Sequence, residues 1–398
     1  MNTDLNRLQP YPFEKIRRLL ADAKPPADLP PVSLAIGEPK HPTPTFIHQA
    51  VNDALTGLAS YPATKGDAAL REAISHWLTR RFNLPTGSIA PDQHVIPATG
   101  TREALFAFAQ AAIDRKPGAA ILMPNPFYQI YEGAALLAGA EPVLLNCTAE
   151  NGFIPDFSAV DAKTWQRCQL LYICTPGNPT GAVMPLSTLQ QLIELAEKYD
   201  FLIASDECYS ELYFDENHPP PGLLQAAAAM GNTDYKRCLV FHSLSKRSNA
   251  PGMRSGFVAG DRDVLQQFLL YRTYHGCAMP PPFQAASIAA WQDEAHVLAN
   301  RDLYRAKFRA VLAILAPVME VSMPDASFYL WPKTPIADTE FTREVYRQQN
   351  VHVVPGSYLS RDTATGNPGQ NRLRMALVAT EQECIIAAQR IRQFIETL

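Results

Sequence analysis

The chain has 398 residues, 47% hydrophobic and 19% charged, with a formal net charge of −4. At about 100–200 residues per domain that is room for two or three domains, or one large domain with an appendage. No basic block or Lys/Arg stripe marks a nucleic-acid surface, no apolar run approaches the roughly 18 residues that span a membrane, and the N-terminal stretch lacks an apolar signal region.

Phe13, Ile16, Leu19 and Leu20 recur at helical spacing, so Tyr11 to Ala23 predicts an amphipathic helix packed on another part of the protein. Prolines then break the chain, and Val32 to Ile36 reads as a short strand ending at Gly37. A helix is expected from about Pro44 to Gly57. Asp67 then caps a helix whose face carries Leu70, Ile74, Trp77 and Leu78. From His94 onward one theme repeats: a short apolar run, a polar or glycine-rich loop, a helical pattern. HVIPATG, AAILMPNPFY, CQLLYICTPGNPTG, DFLIASDECY and RCLVFHSLSK each open one cycle or end it. Strands alternating with helices imply a mostly parallel sheet covered on both faces. From about Phe283 the texture changes. Long helices over Phe283–Leu315, Glu340–Gln349 and Glu381–Leu398 bracket strands at Ser327–Trp331 and Leu373–Leu377, which reads as a smaller α+β unit, with the N-terminal helix packed on it. The seven cysteines are scattered, odd in number and without a CxxC pair. That argues against a disulfide framework and a structural zinc site, and predicts a reducing, cytoplasmic setting with no metal.

In open α/β sheets, ligands bind beyond the carboxyl ends of the strands. The residues just after each run are therefore informative. Gly100, Thr101 and Arg102 open a helix, where free N–H groups and the positive dipole end suit a phosphate. Asn125, Pro126 and Tyr128 follow the next run, and Asn178 follows the one after. Asp206 stands directly behind a buried run, where a carboxylate needs a partner; Tyr209 is close behind. Lys246 lies between a buried strand and Arg254, flanked by Ser243 and Ser245. That setting suits an amine that must shed its proton to attack a carbonyl, with an anion held nearby. A phosphorylated cofactor with a basic ring nitrogen and an aldehyde needs this set: a lysine for the aldehyde, a carboxylate for the ring nitrogen, donors for the ring oxygen, and a helix start with serines and arginine for the phosphate.

The motifs YPATKG…LREAI, PNPFYQIYEGA, NPTG, SDECYSE, SLSKRSNAPGMRSGF and NRLRMAL stand in one order along the chain. In this it resembles the pyridoxal-phosphate aminotransferases of fold type I, class I/II, over nearly its whole length. The resemblance implies the α/β fold of that type, with a mostly parallel sheet in a large cofactor-binding domain (46–279) and a smaller α+β domain formed by 1–45 and 280–398. It implies that Lys246 bonds the cofactor aldehyde, that Asp206 pairs with the ring nitrogen, and that Tyr209 and Asn178 bind the ring oxygen. Tyr128 would stack on the ring. Gly100, Thr101, Arg102, Ser243, Ser245 and Arg254 would hold the phosphate, with Tyr61 of a second subunit, so a homodimer is expected. Gly37, Asn178 and Arg374 would hold the substrate α-carboxylate. The sequence departs from the family pattern at Ala326, where glycine is common, and in the TPG before NPTG.

The segments QPYPFEK, IGEPKHPTP, NPFYQIYEGAALLAGAEP and FHSLSKRSNAPGMRSGFVAGD extend the resemblance to the N-succinyldiaminopimelate aminotransferases of bacterial lysine biosynthesis. The expected partners are then small amino acids and 2-oxo acids, with glutamate as amino donor. Lys65, Arg272 and His275 are candidates for reading the distal carboxylates. Acetylornithine, aspartate and aromatic amino acids are the rival substrates. A carbon–sulfur lyase on the same cofactor would use the same Lys246 and Asp206. A cofactor-sensing regulator would need a DNA-binding segment and basic patch that the chain does not offer. No GxGxxG follows the first strand, which weakens a nucleotide-dependent oxidoreductase.

Overall fold

Twelve strands alternate with helices in a computed structural model that describes residues 1–398. They are β1 (Val32–Ser33), β2 (Val95–Ala98), β3 (Ala120–Asn125), β4 (Glu141–Asn146), β5 (Cys168–Cys174), β6 (Leu202–Asp206), β7 (Cys238–Ser243), β8 (Gly256–Gly260), β9 (Tyr329–Leu330), β10 (Val351–His352), β11 (Val354–Pro355) and β12 (Leu373–Ala376). Seven form one sheet in the order β2-β8-β7-β6-β5-β3-β4. All its pairings are parallel except those of β8, which runs against both neighbours. The expected mostly parallel α/β sheet is therefore present. β3, β5, β6 and β7 read as near-continuous apolar runs because helices cover both faces. One face packs Trp77, Leu192, Leu223 and Trp291; the other packs Phe108, Tyr131, Tyr172 and Phe268.

A second, smaller body carries the antiparallel sheet β11-β12-β9 and the parallel pair β1-β10. Its core gathers Leu34, Phe308, Val345, Leu373 and Ile391. The helix Pro12–Leu19 buries Ile16 there, against Ala35, Trp331, Val354 and Leu359. β1 reaches this body from the N-terminal segment, with Val32 opposite Val351.

Several boundaries shift. The expected helix over Phe283–Leu315 is two helices, Pro281–Gln292 and Ala295–Leu315. Asp293 breaks it by accepting the His296 N–H at 3.0 Å, a local bond that competes with continued helix. The helix expected from Pro44 to Gly57 ends at Asp53 and tightens into a 3-10 turn, Leu55–Ala59. β4 lies in AEPVLLN, a stretch without strict alternation, and was not anticipated. Asp67 caps its helix as expected, accepting from Ala69 N–H at 2.7 Å.

Candidate active site

The carboxyl ends of β6 and β7 deliver the two central groups. Asp206 is the last residue of β6 and Ser243 the last of β7, and the single helical turn Leu244–Arg247 carries Lys246. The Ser243 hydroxyl caps that turn, accepting from the Ser245 N–H at 3.0 Å and donating to the Ser245 hydroxyl at 2.9 Å. Next to it the helix Thr101–Ala112 starts after Gly100, which sits at φ +91°. A Cβ on Gly100 would lie 2.2 Å from the Arg254 guanidinium, so only glycine serves both the backbone angle and the close approach. Arg254 itself turns back at φ +50° and donates to the Pro251 carbonyl at 2.9 Å.

These groups open into one cavity of about 390 Å³. Gly37, Thr101, Arg102, Tyr128, Asn178 and Asp206 line it, as do Tyr209, Ser243, Ser245, Lys246, Arg254 and Arg374. Gly100 stands just behind, against Arg254. The Lys246 amine donates to the Gly37 carbonyl at 2.6 Å. A Cβ on Gly37 would lie 2.1 Å from the Tyr329 hydroxyl, which keeps that carbonyl accessible only with glycine there. Burial lowers the Lys246 amine to about 8; Arg374 and Arg254 push the same way, against Cys208 and Glu38. Burial raises the Asp206 carboxyl, opposed by hydrogen bonds to its ionised form from Tyr131 and Cys208. The Tyr131 hydroxyl donates at 2.7 Å and the Cys208 N–H at 3.3 Å. Tyr131 is held in turn by stacking on Tyr172, centroids 4.7 Å apart. Arg374 is 7% exposed and forks between Asn178 Oδ1 at 3.2 Å and the Ala35 carbonyl at 2.9 Å, with its Nε buried and unpartnered.

Three candidates for the distal carboxylates lie elsewhere. Arg272 is buried and spent on Glu103 at 2.6 Å, and His275 Nδ1 stands 3.7 Å from the same carboxylate. Lys65 faces Asp92 at 3.4 Å, in a different surface groove. None of the three lines the cavity of its own chain. Tyr61 is fully exposed and reaches nothing within one chain. Sequence reasoning missed Tyr11, Pro12, Phe13 and Ile36 as cavity lining, along with Cys208 and Tyr329. Tyr329 meets the Tyr209 hydroxyl at 3.1 Å and lies under the Arg374 guanidinium at 4.7 Å. The one signal for it was its place in PDASFYLW beside the departure at Ala326. That alanine is fully buried and donates its N–H to the Gly181 carbonyl at 3.1 Å, tying the smaller body to the NPTG turn. The next residue, Ser327, takes a left-handed φ of +79°, uncommon for a residue with a side chain.

The sequence pattern of the family described as aminotransferase class I and II matches residues 30–391. The chain belongs to that family. It is 31% identical to the LL-diaminopimelate aminotransferase of Desulforudis audaxviator over 396 residues, 98% of this chain and 96% of that one. A crystal structure of an aminotransferase from Neisseria meningitidis superposes with a TM-score of 0.95 at 48% identity, covering 99% of this chain and all of the other (100%). The aminotransferase AspB from Helicobacter pylori gives 0.90 at 35% identity over 98% of this chain and 100% of its own. Aminotransferases of this class depend on pyridoxal phosphate, and so does this enzyme. The cavity fits that group: a cavity-facing lysine with a depressed pKa, a buried carboxylate held by two donors, and a helix start backed by Arg254 and two serines.

No helix is long and apolar enough to cross a membrane. All seven cysteines are free.

Proposed function

We propose that the enzyme moves an amino group between L-glutamate/2-oxoglutarate and a diaminopimelate-type substrate: N-succinyl-2-amino-6-oxopimelate, giving N-succinyl-LL-diaminopimelate, in lysine biosynthesis. The observation that carries the reading is the placing of Lys246 and Arg374 at one cavity, an amine of pKa about 8 beside a guanidinium whose Nε is left without a partner. Arg374, Asn178 and Gly37 would orient the amino acid by its α-carboxylate, so that its Cα–H meets Lys246. Asp206 would pair with the ring nitrogen, Tyr209 and Asn178 with the ring oxygen, and Tyr128 with the ring face. The N–H groups of Thr101 and Arg102, with Ser243, Ser245 and Arg254, would hold the phosphate. The bound cofactor supplies an electron sink for the charge released at Cα. Lys246 would accept the proton released at Cα and give it back on the same face; an amine of pKa about 8 would serve both directions near neutral pH. Phe13 and Ile36 line the same cavity and would limit water around that proton.

We take residues 46–279 as the cofactor-binding domain, 1–45 with 280–398 as the smaller one, a homodimer as the working unit, and the cytoplasm as its place, in keeping with seven unpaired thiols. Full exposure of Tyr61 supports the dimer, since a phenol left bare in one chain is free to serve the other. Unmodified LL-diaminopimelate is the second reading, favoured by the 31%-identical relatives that carry that name. Single-turnover reaction of the loaded enzyme with both compounds, aspartate, acetylornithine and phenylalanine tests the reading by absorbance. N-succinyl-LL-diaminopimelate is expected to have the highest specificity constant. A far higher value for aspartate, acetylornithine or phenylalanine would overturn the diaminopimelate assignment, and a higher value for LL-diaminopimelate would replace the first reading with the second.

A further inference from the structure

Outside the cavity, three metal-ligating side chains of different chemistry meet at one place. His275 closes the helix Arg262–His275, Gly276 turns the chain at φ +85°, and Cys277 follows. This His-Gly-Cys turn lies beside Glu103, in the first turn of the helix Thr101–Ala112. One ligand atom from each of Glu103, His275 and Cys277 falls within 4.8 Å of the other two. His275 Nδ1 stands 3.7 Å from Glu103 Oε1. Glu103 and Cys277 are half-buried and His275 is exposed, so an ion can reach the group from solvent.

We propose that Glu103, His275 and Cys277 form a three-ligand site for a zinc-class divalent cation, with water in the fourth position. Tetrahedral zinc holds O, N and S ligands at about 2.0–2.3 Å, which sets neighbouring ligand atoms about 3.3–3.6 Å apart. The His275–Glu103 edge is already close to that spacing, and the other two edges need at most a contraction of about 1 Å by Cys277, which follows a glycine turn. The carboxylate is fixed by neighbours that leave it free to ligate. Arg272 donates to its Oε1 at 2.6 Å and the Thr99 hydroxyl to its Oε2 at 3.0 Å. An ionised carboxylate has about four lone-pair sites, so one remains on each oxygen. Hydrogen bonds of this kind orient a ligating carboxylate. Arg272 also offsets one of the two negative charges that Glu103 and the Cys277 thiolate bring, leaving the loaded site with a net charge of about +1. On binding, the Cys277 Sγ–H bond breaks, its proton goes to solvent and the sulfur lone pair bonds the ion; His275 binds as neutral imidazole. A thiolate with an imidazole selects a soft or borderline ion over magnesium or calcium. The ion would tie two helices far apart in sequence, so it would stabilise the folded chain. The lack of a CxxC pair did not exclude such a site, because its ligands come from two elements that only the fold brings together.

The test titrates zinc chloride into the cofactor-loaded enzyme by calorimetry, in two buffers of different ionisation enthalpy. One ion per chain is expected, with release of about one proton for the thiol. His275→Ala and Cys277→Ser should each weaken binding by at least the roughly 10- to 100-fold that loss of an outer-shell partner costs. Magnesium chloride in excess should not compete. Zinc should raise the melting temperature of the parent protein and leave that of both variants unchanged, with cofactor absorbance as the control for folding. A readout in the unsubstituted protein guards against a variant that does not fold: zinc should slow iodoacetamide labelling of the Cys277 peptide about tenfold or more, as a bound thiolate is no longer a free nucleophile. Absence of zinc binding at millimolar concentration overturns the proposal. So does binding of equal strength in the parent, His275→Ala and Cys277→Ser, or labelling of Cys277 at the same rate with and without zinc, either of which would mean an adventitious ion only.

Discussion

Replacing Arg374 by alanine tests the common part of every substrate. In the resting site its guanidinium donates to Asn178 Oδ1 and to the Ala35 carbonyl, and its Nε has no partner. A bound α-carboxylate would take up that idle donor capacity, and alanine would leave the anion half-desolvated with no counter-charge. Two charge-assisted hydrogen bonds at about 1.5–3 kcal/mol each set the scale. Partial repair by water reduces the sum to about 3–4 kcal/mol, a loss of roughly 10²–10³ in specificity constant at 1.4 kcal/mol per tenfold. Arg374→Lys keeps the charge without the fork and should recover about tenfold. The assay is the rapid half-reaction of each form of the enzyme with glutamate, norvaline and the diaminopimelate substrate. Circular dichroism and cofactor absorbance serve as controls for folding and loading. All three amino acids should lose activity together. A loss confined to one of them, or below about fivefold for all, would refute the reasoning, because Arg374 would then read a distal group or none.

Cofactor recombination with the apoenzyme should accelerate with pH, with a midpoint near the lowered Lys246 pKa of about 8, since only the neutral amine attacks the aldehyde. A midpoint near 10.5, the ordinary lysine value, would mean that burial does not act on this amine as described. Tyr131→Phe removes a donor to ionised Asp206, whose carboxyl burial already raises, so the acid limb of the pH–rate profile should move to higher pH and the rate fall about tenfold; an unmoved acid limb would show that Tyr131 only packs. Tyr61→Phe should weaken cofactor retention while sedimentation still finds the dimer, and a fully active monomer at assay concentration would remove the shared-site view.

The sheet was legible because β3, β5, β6 and β7 are covered on both faces and so read as unbroken apolar runs with loops behind them. The same rule located the site, since Asp206 and Ser243 are the last residues of their strands. What failed was set by contacts across long stretches of chain. Tyr11 and Ile36 reach the cavity only because the N-terminal segment lies against the smaller body, a packing that no local pattern encodes. Lys65 and Arg272 sit in segments near the site, yet their charges are taken by Asp92 and Glu103 from neighbouring elements. Arg102 was rightly placed at the helix start, but the direction of its side chain depended on two phenols elsewhere in the chain, Tyr128 and Tyr11. The break at Asp293 turned on one side-chain oxygen competing with the helix.

Attachment of the cofactor to Lys246 is open to a direct measurement. The protein loaded with pyridoxal phosphate should be reduced with borohydride, digested and analysed by mass spectrometry, beside a folded Lys246→Ala variant treated in the same way. One pyridoxyl group per chain is expected, on the peptide that carries Lys246, and none on the variant. A stable reducible attachment at another lysine, or an equal yield in the variant, would contradict it.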